Sequence, residues 1–330
     1  MITRRDFAQW GAATAVVSQM AGTAFAQSSQ PVRIVNGFPA GGVVDAVSRK
    51  FGDAMVASGY ATAAVVENRT GAGGRLAAAF VKAAPADGNT LLLSPDTVLS
   101  LYPFIYAKLE YDPFKDLVPI STAALTSDAL AVGPLVPDSV RNVRDFVAWA
   151  KAHPEHANFG SPGTGSPLHL LGSLLGKEGD FDFRHVAYRG ASPGVTDMVG
   201  GQIAAMAAPT GNFLPFQRTG RVRILGTSGV KRSPFTPDTP TFSEQKFAGD
   251  YPQEDQWFGF FAPAGTAAAS IAKANQSISQ AMSRKSLIDD LAVFGLTAQA
   301  STPEAMSASL RLQHEIWRGI VKRLGFTAES

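Results

Sequence analysis

From Val32 onward, short apolar runs alternate with longer stretches whose apolar residues recur every three or four positions. Val32–Val35 has the length and composition of a buried strand, and Val43, Val47, Phe51 and Met55, spaced four apart, place one apolar stripe on the helix that follows. Ala64-Val65-Val66 reads as a second strand, Gly73-Gly74 opens a second helix through Lys82, and Thr90-Leu91-Leu92-Leu93 reads as a third strand. This β-α-β-α-β rhythm predicts a parallel sheet with right-handed crossovers.

A proline-rich region around Pro113–Pro137 interrupts the rhythm, which then resumes. Asn142 can cap a helix over Val143–Lys151. Short strands are expected near Phe159, at His185–Tyr188, Ile203–Ala207 and Val222–Leu225, with helices between them. A Pro- and Thr-rich loop, Ser233–Thr241, leads to a strand at Trp257–Ala262. Helices are expected at Ala267–Met282, Leu287–Phe294 and Pro303–Leu324, the last with Thr302 as its cap and Pro303 in its first turn. The pattern is that of an α/β protein.

The first residues have a different character. Arg4-Arg5, an apolar stretch from Ala8 to Phe25 diluted by polar residues, and Ala24-Phe25-Ala26 read as a twin-arginine export signal cleaved near Ala26. An ordinary secretory signal that happens to contain two arginines is the competing reading. The 330 residues carry a formal net charge of +2 with no basic run, so nucleic-acid binding has no support. The absence of cysteine excludes disulfides, thiolate metal sites and a cysteine nucleophile. The five histidines show no convincing metal spacing, and dinucleotide, P-loop and nucleophile-elbow motifs are missing. No cofactor and no metal are expected, and catalysis has little support.

Two glycine-rich turns carry the candidate chemistry. Phe38-Pro39-Ala40-Gly41-Gly42 joins the first strand to the first helix; Ser161-Pro162-Gly163-Thr164-Gly165-Ser166 joins the strand near Phe159 to a helix beginning at Pro167. A helix start presents unpaired N–H groups and the positive end of the helix dipole, which suit a carboxylate or phosphate. Two such starts about 120 residues apart suggest one small anion held between two lobes. The first turn serves equally well as a tight βα turn that binds nothing. Asp45 either favours the helix dipole and caps free N–H groups or bonds to a water or ligand. Ser166 reads as a helix cap, with its hydroxyl also on offer to a ligand; His169 either faces the ligand or is an ordinary half-buried residue. Tyr188 and Arg189 end a strand, where open α/β sheets bind ligands; Arg189 either pairs with a carboxylate or is a solvated charge. Ser94 ends the third strand and is a weaker candidate on the same ground.

In order and spacing these pieces resemble the Bug-type extracytoplasmic solute receptors, the substrate-binding proteins of tripartite tricarboxylate transporters. The likeness runs from about Pro31 to Gly325. It includes Phe38–Gly42 with Asp45, Val66-Glu67-Asn68-Arg69 with Gly71–Gly74, Ala84–Gly88, Tyr111-Asp112-Pro113, Gly163–Ser166 with His169-Leu170, His185-Val186, Tyr188–Gly190, Lys231-Arg232-Ser233, Trp257-Phe258-Gly259 and Ala262–Thr266. The resemblance implies a two-lobed fold like a type II periplasmic binding protein, with a central cleft and crossover strands. Lobe 1 would be residues 27–130 with 251–330, and lobe 2 residues 131–250. It also implies a small carboxylate ligand, membrane permease subunits as partners, a periplasmic monomer, and two waters bridging a ligand carboxylate to the first turn. Ser161, Gly163, Thr164, Gly165, Ser166 and His169 would face it from the second lobe. Four positions depart from the family's usual pattern: Asn36 adds an amide near the cleft, Val44 removes a hydroxyl, and Ala187 and Ala208 replace a proline and a polar residue. Fewer polar groups in lobe 2 suggest a less polar distal end on the ligand. A receptor that presents its ligand to a signalling partner, and an exported enzyme, are the alternatives.

Overall fold

The computed structural model describes residues 30–247, 251–252 and 255–328; the expected export signal over residues 1–26 lies outside them. The chain begins with β1 (Val32–Asn36), α1 (Val43–Ala57), β2 (Ala64–Asn68), α2 (Arg75–Lys82) and β3 (Thr90–Pro95). As the rhythm predicts, β1 pairs in parallel with both β2 and β3. Two one-turn helices follow, α3 (Thr97–Ser100) and α4 (Tyr102–Ile105), and then the long strand β4 (Leu117–Thr126). After the single residue Ser127, β5 (Asp128–Val132) belongs to another sheet.

That sheet grows through α5 (Val143–Ala152), β6 (Asn158–Ser161), α6 (Pro167–Gly179), β7 (Arg184–Ala187), α7 (Ala191–Val199), β8 (Ala205–Pro209), α8 (Leu214–Gln217) and β9 (Arg223–Thr227). The chain returns with β10 (Gln256–Pro263), α9 (Ala268–Ala281), α10 (Lys285–Val293), β11 (Thr297–Ala298) and α11 (Pro303–Leu324). The strand orders are β11-β4-β10-β3-β1-β2 and β7-β6-β8-β5-β9.

The proline-rich stretch is not the break that its composition suggests, because it holds β4 and β5. Pro119 is tolerated within β4 because it lies at a register irregularity opposite β10, between the pairs of Phe260 and Phe261. Sequence periodicity also gives no hint that β10 enters the first sheet antiparallel, between β3 and β4. Every residue of β10 is buried, as a central strand covered on both faces requires.

Side-chain packing ties the layers together. Phe51 of α1 meets Phe260 of β10 edge-on at 5.5 Å, which fixes α1 on one face of the first sheet. On the other face, α11 buries Leu310, Trp317 and Ile320 in an apolar cluster that continues through Leu99 and Ile105 to Phe146, Phe159 and Leu174 beside the second sheet. The end of α11 reaches α6 directly, where Lys177 Nζ donates to the Arg323 carbonyl at 2.7 Å. Fully burying a side chain of this size contributes about 1.5–3 kcal/mol, so α11 is a principal fastening between the sheets.

Candidate functional site

Both glycine turns sit where a strand delivers the chain to a helix start. The first follows β1. Asn36 and Asp45 are its two braces, and both are buried. Asn36 Oδ1 accepts from the Phe38 N–H at 3.0 Å and from Asn68 Nδ2 at 3.2 Å, while Asn36 Nδ2 donates to Ser48 Oγ at 3.1 Å. The amide that looked like an addition to the cleft is therefore consumed inside the turn. Asp45 accepts from the Gly41 N–H at 2.9 Å, from Asn68 Nδ2 at 3.0 Å and from Arg49 Nε and Nη2 at 3.0 Å each. Burial works to raise its carboxyl, but the Arg49, Gly41 and Asn68 hydrogen bonds outweigh it and hold the group below its ordinary value. Asp45 thus stays ionised with its oxygens committed to the turn. Pro39, Ala40 and Gly41 remain exposed, and Gly41 adopts a φ of +80°. At the start of α1, the Val43 and Val44 N–H groups make no hydrogen bond to protein among the described residues.

The second turn is braced by neutral groups. Ser166 caps α6, its hydroxyl accepting from the His169 N–H at 3.2 Å. His169 Nδ1 in turn accepts from the Gly165 N–H at 3.1 Å, which leaves the ring proton on Nε2. The His169 ring stacks on His185 at 3.9 Å, and His185 Nε2 shares a 2.7 Å hydrogen bond with Ser161 Oγ. Burial, and then the neighbouring His185, push His169 down to about 4; burial also lowers His185. Both imidazoles are neutral at pH 7. Gly165 has a φ of +76°, Thr164 is exposed, and no atom lies within 4 Å of the Cβ position of Gly163.

One short element touches both surroundings. Tyr102 of α4 lies against Gly73, in the glycine loop whose Gly74 packs on the Phe38 ring; Ile105, one turn on, lies against Gly165 together with Phe326 and Ala328 of the C-terminal tail. The remaining candidates fall around this core. Ser94 is buried and its hydroxyl donates to the Pro95 carbonyl. Tyr188 is half-buried, its hydroxyl donating to Asp197 at 2.9 Å and its ring packed near Gly160 and Gly194. Arg189 is exposed, with no side-chain partner among the described residues. Ala187 is exposed, and Ala208 is buried among the apolar residues behind the second sheet. Two cavities of about 380 and 220 Å³ lie elsewhere, one lined by Pro134, Val136 and Arg221 and one by Thr126, Ser127 and Lys231; no turn residue lines either.

Sequence reasoning assigned no role to Arg49, Asn68 or His185. The Asp45–Arg49 pair is legible as an i,i+4 charge pair. Asn68 and His185 act from other strands, and only the pairing of β2 with β1 and of β7 with β6 brings them to the turns.

The chain matches the model of the tripartite tricarboxylate transporter family receptor over residues 47–326. It is 30% identical to Protein BugT of Bordetella pertussis, over 90% of each chain. A Rhodopseudomonas palustris protein solved with adipate superposes with a TM-score of 0.80 at 25% identity, over 90% of this chain and 98% of that one. MatC of the same organism, solved with bound malate, gives 0.76 at 27% identity, over 88% and 99%. A match of this extent in sequence, together with the two-sheet α/β fold, leaves one assignment: the chain belongs to the tripartite tricarboxylate transporter receptor family, whose members are solute-binding receptors and not enzymes.

Proposed function

We propose that this protein is a periplasmic solute-binding receptor that captures a small carboxylate between its two glycine turns and hands it to the membrane permease of a tripartite tricarboxylate-type transporter. The first sheet with α9–α11 forms one lobe and the second sheet the other, with crossings at Ser127 and ahead of Gln256. An export signal over residues 1–26 delivers the chain to the periplasm, where it works as a monomer. The observation that carries this reading is the pair of helix starts, one from each sheet, with α4 reaching the second through Ile105 at Gly165 and the loop behind the first through Tyr102 at Gly73. Two structural neighbours were solved with adipate and with malate, in keeping with an anion as the ligand.

The mechanism follows from what braces each turn. Asp45 is saturated, so its charge is spent on Gly41, Asn68 and Arg49. Backbone N–H groups at the starts of α1 and α6 supply the field that the anion meets, and Phe38, Pro39, Ala40, Gly41 and Gly42 shape the approach. Ser161, Gly163, Thr164, Gly165, Ser166 and His169 complete the site from the other side, with Arg189 at its rim and Ser94 and Tyr188 behind it. Preorganised dipoles in a site that closes and excludes water hold an anion without a full counter-charge.

The test is a thermal-shift panel of mono-, di- and tricarboxylates, aliphatic and aromatic, on protein refolded to strip carried-over ligand. A ligand at about 100 times its Kd adds roughly 2.7 kcal/mol, a rise of several degrees. Selective stabilisation by one acid class is expected. Proline at Gly41 or Gly165, where φ is +80° and +76°, should abolish that shift while the fold persists. No response to any acid, or unchanged affinity in both variants, removes the proposal.

A further inference from the structure

Where the chain crosses between the sheets, two carboxyl groups are buried together. Asp96 follows β3 and is 1% exposed; Asp128 opens β5 and is 2% exposed. Asp128 is well served: its Oδ2 accepts from the Tyr251 hydroxyl and from Gln256 Nε2 at 2.5 Å. Asp96 is not, because neither of its carboxyl oxygens has a hydrogen-bond partner among the described residues. The same holds for Ser100 Oγ, for both amide atoms of Gln313 and for Trp317 Nε1, all buried. Ser100 lies one helical turn beyond Asp96, and Gln313 and Trp317 lie one turn apart on α11. The two helices are bonded through His314 Nδ1 and the Ser100 carbonyl at 3.1 Å. Trp317 meets Tyr251 edge-on at 5.6 Å, which leads back to Asp128.

No lysine or arginine among the described residues forms an ion pair or hydrogen bond with Asp96 or Asp128. The other titratable groups around them are Tyr251, raised by burial, and His314, lowered by burial, and both are neutral at pH 7. An ionised Asp96 would be a second buried charge of the same sign without a counter-ion, and the nearby Trp257 and Thr97 backbone groups only partly offset the cost of its burial. A protonated Asp96 instead carries no charge and removes the like-charge repulsion with Asp128.

We propose that Asp96 is a proton-binding site at the crossover, a neutral carboxylic acid at pH 7 beside an ionised Asp128. Burial, then the Asp128 charge, push Asp96 up to about 8 against the smaller pull of the Trp257 and Thr97 backbone groups, whereas burial raises Asp128 only to about 6 because Tyr251 and Gln256 oppose it. The ordinary value of both is 3.8, so between about pH 4 and 8 the folded chain keeps a proton that the unfolded chain has released. The associated stability is full below that window and is lost as pH rises through its upper end. Because β3, β5 and β10 converge here, ionisation strains the crossover and not the glycine turns.

Infrared spectroscopy of the full chain tests this directly. The wild type should show the C=O stretch of a protonated carboxyl at pH 7, fading as the pH approaches 9, and Asp96→Asn should lack it. In parallel, the wild-type Tm should fall by several degrees between pH 6 and 9, and the variant should hold level. Absence of the band in the wild type, a reading that does not depend on the variant folding, overturns the proposal; so do parallel Tm profiles. Equal Tm values in sodium chloride and choline chloride at pH 8.5 are expected. A rise specific to sodium would assign the site to a cation and overturn the proton.

Discussion

The two glycine turns resemble each other as strings and are held in opposite ways. The first is braced by charge: a buried carboxylate gathers a backbone N–H, an amide and a guanidinium, and the amide of Asn36 locks the strand end behind it. The second is braced by two stacked, uncharged imidazoles and a serine cap. A glycine turn needs its backbone N–H groups held rigid, and the bracing group can be an ion or a neutral ring as long as its bonding capacity is satisfied. The electrostatic outcome differs, however. Arg49 balances Asp45 at the first turn, and the second contributes no charge, so on the proposed reading an anion between them would meet dipoles on both sides.

The sharpest break in this comparison comes from space. A Cβ at Gly37 would lie 2.3 Å from the Gly74 Cα, where two pieces of buried backbone touch; at Gly163 it would meet nothing within 4 Å. Gly37→Ala should cost about 3 kcal/mol or more, read as a drop in Tm of several degrees, and Gly163→Ala should stay within about 0.5 kcal/mol. Equal costs would show that the first turn has slack. Next in size is Asp45→Ala, which leaves the Gly41 N–H, Asn68 and Arg49 without their shared acceptor. Urea unfolding should report a loss of about 2–3 kcal/mol, with ligand affinity falling as the turn loosens. Because the Asp45 carboxyl is held below its ordinary value, its contribution is present at neutral pH and disappears as pH falls through the carboxylate range, so wild type and variant should converge in acid. Gly165→Ala comes third, at about 1–2 kcal/mol for placing a Cβ in the left-handed region.

What the sequence made legible divides along the same physical line. Elements with strong local signals could be read directly: the Val43–Met55 stripe, the Asn142 and Thr302 caps, and the two strand-turn-helix starts. The caps are present, Asn142 accepting from the Asp145 N–H and Thr302 from the Ala305 N–H. Non-local features were not legible. β4 and β5 look like proline-interrupted loop because their register is set by distant partners, β10 and β8. Asn68 and His185 carry no local mark of their roles, since each reaches its turn by strand pairing. Ser94 and Tyr188 stand out in the sequence only by their position at strand ends, which does not reveal that each hydroxyl is already bonded, to Pro95 and to Asp197.

The last expected effect sharpens the comparison most, because it tests whether the brace of the second turn carries no charge. His169→Gln keeps a polar side chain able to accept from the Gly165 N–H, so at pH 7 the loss should be only about 0.5–1.5 kcal/mol. Acid separates the two proteins. The His169 ring is held down to about 4 by burial and by His185, against an ordinary 6.5. Between those values the unfolded chain binds a proton that the fold refuses, so the stabilising contribution is full above about 6.5 and is lost as pH falls toward 4. Wild-type stability should therefore decline across this window more steeply than that of the variant, and the gap seen at pH 7 should close or invert by pH 5. Tm measured at half-unit steps from pH 7.5 to 4.5 reads it. Parallel curves would mean that the ring takes up its proton in the folded state, and the second turn would then be braced by charge like the first.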